Sequence, residues 1–267
     1  MRSFLWQRIN WRLVTSSLLV ALIISGGQFW QSFWTIQQRS GRFYDSPYTS
    51  WLSIDQFNLT PVVFFILLPL LASLPGVTLL ANDLKTHFFE QITNRIGLNK
   101  TIRRYLLLIA GLGAATIFIS LLVNLLAFFL ILPNNRPDEF LNSNILVINL
   151  NTLLVPLYYQ HPLVHALLSI LLASVWAGLF SAFAGAISFY VRQRFLAVSA
   201  SLLLQMGLLI SNQVLPLGNQ ISYVPSDFLR ESANANLSLG VVLIETCLLI
   251  VVIMVLSYTG GRRHAYW

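Results

Sequence analysis

Six apolar runs, each near the roughly 20 residues needed to cross the hydrocarbon of a bilayer, limit what this chain can fold into. They lie at about 13–33, 61–81, 105–132, 165–190, 195–217 and 238–258. None alternates like a strand, and backbone groups in lipid must satisfy one another, so the runs read as helices. Hydrophobic residues make up 56% of the 267 positions and charged residues 9%. Ordinary soluble domains carry roughly 25% charged residues, and a soluble core cannot hide this much apolar surface. The expectation is an all-α membrane protein, a single transmembrane domain over residues 1–267.

The third run is long enough to tilt or to project beyond the membrane. Only Arg192 and Arg194 separate the fourth from the fifth, and a continuous helix of roughly 50 residues would overshoot the bilayer, which favours a hairpin. The start MRSFLWQRINWR imitates a secretory signal, but the run after it is long and no A-x-A-like site follows. It reads as a retained anchor preceded by a short interfacial helix. The one cysteine, Cys247, excludes an intrachain disulfide.

Loop charge orients the bundle, because Lys and Arg are retained on the cytoplasmic side in short loops. Residues 1–12, 82–104, 191–194 and 259–267 hold 12 of the 16 basic residues: Arg2, Arg8, Arg12, Lys85, Arg95, Lys100, Arg103, Arg104, Arg192, Arg194, Arg262 and Arg263. The other three loops hold Arg39, Arg42, Arg136 and Arg230, with six of the nine acidic residues: Asp45, Asp55, Asp138, Glu139, Asp227 and Glu231. Both termini are therefore expected in the cytoplasm. Topology accounts for the net charge of +7 and leaves no reason to expect nucleic acid as a partner. Trp11, Trp30, Trp34, Trp51, Tyr105, Tyr158, Tyr159, Tyr190 and Tyr258 fall at the span edges, where aromatic rings sit at headgroup level.

The most informative segment is ANDLKTHFFEQITNRIGLNKTIRRY, between the second and third runs. On a helix, Phe88, Phe89, Ile92 and Ile96 form one stripe, with Asp83, His87, Glu90 and Asn94 opposite. An amphipathic helix over 83–97 is expected, ended by Gly97 and Asn99. Its apolar face suits either the lipid interface or a cytoplasmic partner. Lys100, Arg103 and Arg104 follow where the third span meets the anionic leaflet.

The order of spans, Asp83 just after the second, the amphipathic stretch Thr86–Ile96 and the basic-aromatic Arg103–Tyr105 together resemble the permease subunits of type-2 ABC transporters, the exporter class. The likeness covers the whole chain as a topology and about 25 positions at residue level. It implies that the loop is a coupling helix seated on a separate ATPase, and that a second permease chain, identical or related, completes the pathway. That family often has Glu followed by Gly here; this chain has Asp83, then Lys85, Thr86 and His87. The resemblance also implies short helical pieces outside, between the fifth and sixth spans, where VLPLGNQISYVPSDFLRE lies. The expected setting is the cell membrane of a bacterium.

No G-x-x-x-x-G-K-[ST] phosphate loop occurs, so ATP and magnesium are expected on the partner ATPase and no cofactor on this chain. H-E-x-x-H and G-x-S-x-G are absent too, and the chain is not expected to be an enzyme. Glu245 is the ionisable residue deepest in a span, roughly 10 Å from its outer end by helix rise. Either it contacts substrate or relays protons, or it is a structural carboxylate packed against Gln205, Asn212 or Asn124. His161 and His165 have i, i+4 spacing, but Pro162 and the lack of a third ligand argue against a metal.

Small residues on the fourth span (Ala177, Gly178, Ser181, Ala182, Gly185, Ala186) and the third (Gly111, Gly113, Ala114) allow close helix approach, within the bundle or across a dimer. Pro69 and Pro75 invite a kink that is either a hinge or static. The leading expectation is an ABC exporter permease for a hydrophobic or amphipathic cargo such as a peptide, lipid or drug. The alternatives are a membrane scaffold or sensor that recruits a partner through the same helix, and a membrane enzyme built around Glu245.

Overall fold

A computed structural model describes residues 2–38, 45–144, 148, 151–191, 193–231 and 235–265. Arg39, Arg42 and Arg192, used above in the charge count, lie outside the described residues. A short helix α1 (Arg2–Gln7) precedes the first long one, α2 (Trp11–Gln38). Then come α3 (Pro47–Ser50), α4 (Leu59–Lys85), α5 (Phe88–Ile96) and α6 (Leu98–Ile131). The short α7 (Glu139–Asn144) and α8 (Val155–Gln160) lead into the hairpin of α9 (Pro162–Ile187) and α10 (Arg194–Val214). A 3-10 turn at Gly218–Gln220, α11 (Pro225–Arg230) and α12 (Leu239–Ala265) complete the described chain. The six long helices α2, α4, α6, α9, α10 and α12 are each long and apolar enough to cross a membrane.

Helix α4 lies at the centre, against α2, α6, α9 and α10, while α12 sits outside on α9 and α6. Strongly exposed apolar side chains include Ile23 on α2, Leu130 on α6, Phe195 on α10 and Ile244 on α12. The inward face of α2 is instead Ser17, Ala21, Ser25, Gln28 and Ser32. Apolar outside and small or polar inside is the pattern expected when the surrounding solvent is lipid.

That polar face ties the loop between α2 and α4 to the bundle. Gln28 Nε2 donates to Asp55 Oδ2 at 2.7 Å and to the Ser50 carbonyl at 2.9 Å. Asn124 of α6 donates to Gln28 Oε1 at 3.0 Å and accepts the Leu52 N–H at 3.0 Å. Trp51, Tyr105 and Tyr158, expected at the headgroups, are instead almost fully buried, whereas Trp11, Trp30, Trp34, Tyr190 and Tyr258 are exposed. An amphipathic ring also suits a core that supplies a polar partner, as Asp83 does for the Tyr105 hydroxyl.

The small-residue seam is internal to the bundle. A Cβ on Gly113 would lie 2.7 Å from the Ala72 carbonyl and 2.8 Å from Ser181 Cβ, so only glycine lets α4, α6 and α9 meet there. Helix α6 runs 34 residues, about 51 Å, beyond the roughly 30 Å of hydrocarbon. Arg8 meets Asp83, and Gly261 lies against Ile102, so both terminal segments gather where α4 ends and α6 begins.

Each of the two prolines in the interior of α4, Pro69 and Pro75, frees the carbonyl four residues earlier. Pro69 frees that of Phe65, which accepts Gln205 Nε2 from α10 at 2.9 Å. Pro75 frees that of Leu71, which accepts Ser17 Oγ from α2 at 2.6 Å. Both interrupted sites are thereby tied to a neighbouring span. Gln205→Leu and Ser17→Ala should each lower the detergent-solubilised Tm by several degrees, a cost of about 1–3 kcal/mol for an orphaned buried carbonyl. Ser199→Ala, at a position whose hydroxyl bonds only to its own helix, should be neutral. In a Pro75→Ala background, where the replacement restores a backbone N–H for the Leu71 carbonyl, the cost of Ser17→Ala should largely vanish; an undiminished cost would overturn this account.

Candidate functional site

The expected amphipathic helix is divided differently from the sequence reading. Helix α4 continues through Lys85, His87 takes the left-handed conformation at φ 56°, and α5 runs only from Phe88 to Ile96. Gly97 ends it with φ 90°, a conformation that favours glycine, and α6 starts at once, so Asn99 belongs to α6. Asp83 therefore does not share a face with His87, Glu90 and Asn94. It is fully buried at the end of α4, because hydrophobic packing of α4 continues one turn past the apolar run.

Around Asp83 four segments converge. Arg8, just after α1, brings Nη2 to 2.5 Å from Asp83 Oδ1, and the Tyr105 hydroxyl donates to Oδ2 at 2.6 Å. The Arg8 guanidinium also lies 3.7 Å from the centre of the Phe88 ring. Phe89 is buried, 5.8 Å from Tyr105 and 5.3 Å from Phe189 between ring centroids. Ile92 and Ile96 are half-buried and line a cavity of about 300 Å³ with Leu5 and Arg104. The apolar stripe of α5 is thus occupied largely by the chain's own helices. Its exposed side is His87, Gln91, Asn94 and Arg95, with Glu90 at the margin bonded to His87 Nδ1 at 2.9 Å. A carboxylate held at once by a guanidinium and a phenol makes this corner a rigid joint between α4, α5 and α6.

Glu245 and the three amides named with it make separate contacts. Asn124 is bound to α2 and to the loop between α2 and α4, and Gln205 to the α4 carbonyls. Asn212 accepts the Tyr223 N–H at 3.4 Å. Glu245 stands apart on peripheral α12, half-buried, with Oε2 buried and without a hydrogen-bond partner among the described residues. Among the described residues no hydrogen bond joins Glu245 to those three amides: Asn124 bonds to Gln28 and to backbone, Gln205 Nε2 to the α4 carbonyls, and Gln205 Oε1 is itself buried without a partner.

His161 is exposed and His165 buried. Among the described residues no group of three or more metal-ligating side chains is present. His165 instead joins a cluster that the sequence did not suggest. Its Nε2 lies 3.1 Å from the Leu153 carbonyl and 3.5 Å from Oε2 of the buried Glu231. Glu231 Oε1 accepts a very short hydrogen bond from the Ser169 hydroxyl. His165 Nδ1 and Glu231 Oε2 have no hydrogen-bond partner among the described residues. Glu231, in the loop between α10 and α12, has the sequence signature of a solvated acid; only the fold of α11 against α9 buries it.

The fold defines a class, that of six-helix multi-pass membrane proteins. No family model, curated protein or solved structure matches this chain.

Burial pushes the Glu231 carboxyl above its ordinary value of 4.5, with the nearby His165 and the Ser169 hydrogen bond pulling the other way. A carboxyl raised in the folded state favours folding most when both states are protonated, and that contribution is lost as pH rises through the raised value. Glu231→Gln should therefore gain stability over the parent as pH rises from about 4 to about 8, in Tm scans of detergent-solubilised protein. Parallel pH profiles would show that the burial of Glu231 carries no net linkage.

Proposed function

We propose that this chain is the transmembrane permease subunit of an ABC exporter, with both termini in the cytoplasm of a bacterial cell and ATP hydrolysed by a separate ATPase. The observation that carries this reading is α5, a nine-residue amphipathic helix between the second and third spans. Its apolar face is clamped by Phe89 and its polar face, His87, Gln91, Asn94 and Arg95, is free of the bundle. The density of basic residues at this end supports the cytoplasmic orientation.

In this reading the ATPase grips the polar face. A push on α5 reaches α6 through Phe89 and Tyr105, the α9–α10 connection through Phe189, and α4 through Asp83. A second permease chain completes the pathway, and the apolar lining favours a hydrophobic or amphipathic cargo such as a peptide, lipid or drug.

The test is purification in mild detergent from the native host, followed by ATPase activity and mass spectrometry of what accompanies the chain. An ATPase with Walker motifs is expected to co-purify. Gln91→Arg combined with Asn94→Arg should reduce its recovery at least about tenfold with Tm unchanged, consistent with substitutions on an exposed surface. Phe89→Ala should instead lower Tm, through a loss of about 3–5 kcal/mol of stability, because it empties a core position. Absence of any ATPase would overturn the transporter reading, and another protein lost on the double substitution would establish a scaffold.

A further inference from the structure

On the face of α6 opposite its seam with α9 runs a groove of about 760 Å³. Trp6 and Leu5 of α1 form one wall, and the floor is Leu107, Gly111 and Ala115. At the end nearest the α6 N-terminus stand Lys100, Arg103 and Arg104. None of these three cations pairs with a carboxylate among the described residues. They occupy the first two turns of α6, where the helix dipole also favours an anion.

The dimensions match one lipid in one leaflet. From Leu107 to Ala115 the helix rises about 12 Å, most of the roughly 15 Å of hydrocarbon in half a bilayer. The floor is smooth because a Cβ on Gly111 would meet nothing within 4 Å and Ala115 adds only a methyl. Three uncompensated positive charges above an apolar trough discriminate in favour of a headgroup with net negative charge.

We propose that this groove binds one anionic phospholipid, its phosphate against Lys100, Arg103 and Arg104 and an acyl chain lying over Gly111 and Ala115 beneath Trp6. The site requires only that the chain sits in a membrane, and stands whether or not the chain partners an ATPase.

The test is native mass spectrometry of the full-length protein in mild detergent, titrated separately with phosphatidylglycerol, phosphatidylcholine and inorganic phosphate. The parent should retain one phosphatidylglycerol at least about tenfold more strongly than phosphatidylcholine, and inorganic phosphate should not displace it. Replacing Lys100, Arg103 and Arg104 with Gln should abolish that preference. Gly111→Leu keeps every charge but fills the trough, and should weaken retention about tenfold; Ala115→Leu serves the same purpose should Gly111→Leu not fold. Equal retention of the two lipids, retention unaffected by filling the trough, or displacement by inorganic phosphate would each overturn the proposal.

Discussion

Inside a bilayer a backbone carbonyl without a donor has no water to turn to, and the central helix of this bundle exposes two of them. Pro69 and Pro75 strip the Phe65 and Leu71 carbonyls of their intrahelical partners, and the side chains of Gln205 and Ser17 take their place. The same requirement explains why α2 and α10, otherwise apolar outward, carry polar residues on their inner faces. Ser201 adds a further tie from α10 to α4, its hydroxyl donating to the Pro69 carbonyl 3.1 Å away. The packing of the central helix against its neighbours is therefore specified by hydrogen bonds, with close-fitting small residues filling the seam between α6 and α9.

From this framework the basic end inherits its geometry. Because α4 is held along its length, its last turn presents Asp83 at a defined point, where Arg8 and Tyr105 converge. Phe89 then anchors α5 against Tyr105 and Phe189. A surface helix held in this way can pass displacement to several spans, which one floating on lipid cannot. The opposite end of the bundle is built on the same rule, with Asp55 held by Gln28 and Asn58 and Glu231 by Ser169.

Features set by length and local pattern are legible in the sequence. The span limits agree with the helices to within seven residues at every end, and the fourth and fifth runs do form a hairpin. The apolar stripe of α5 is amphipathic as its spacing requires, and Gly97 ends it. Local pattern fails where it is asked for partners. Proximity along the chain groups Asp83 with α5, yet tertiary packing extends α4 past it. Ring chemistry points Tyr105, Trp51 and Tyr158 to the headgroups, although the core holds all three rings and supplies acceptors for the two tyrosine hydroxyls. Depth alone groups Glu245 with three amides, and depth does not specify the face of a helix.

The amino-acid sequence by itself determined that this protein is a helical membrane protein with six spans, because the length and apolarity of a run suffice to partition it into lipid. Its loop charges carry the expectation of orientation, since that preference is local to each loop. Only the tertiary structure decided which polar groups meet. Ser17 closing the Pro75 gap, Arg8 reaching Asp83 and His165 facing Glu231 each join residues at least 54 positions apart. Such pairings depend on the rotation of each helix about its axis, which is set by packing across the whole bundle and leaves no trace in any local pattern.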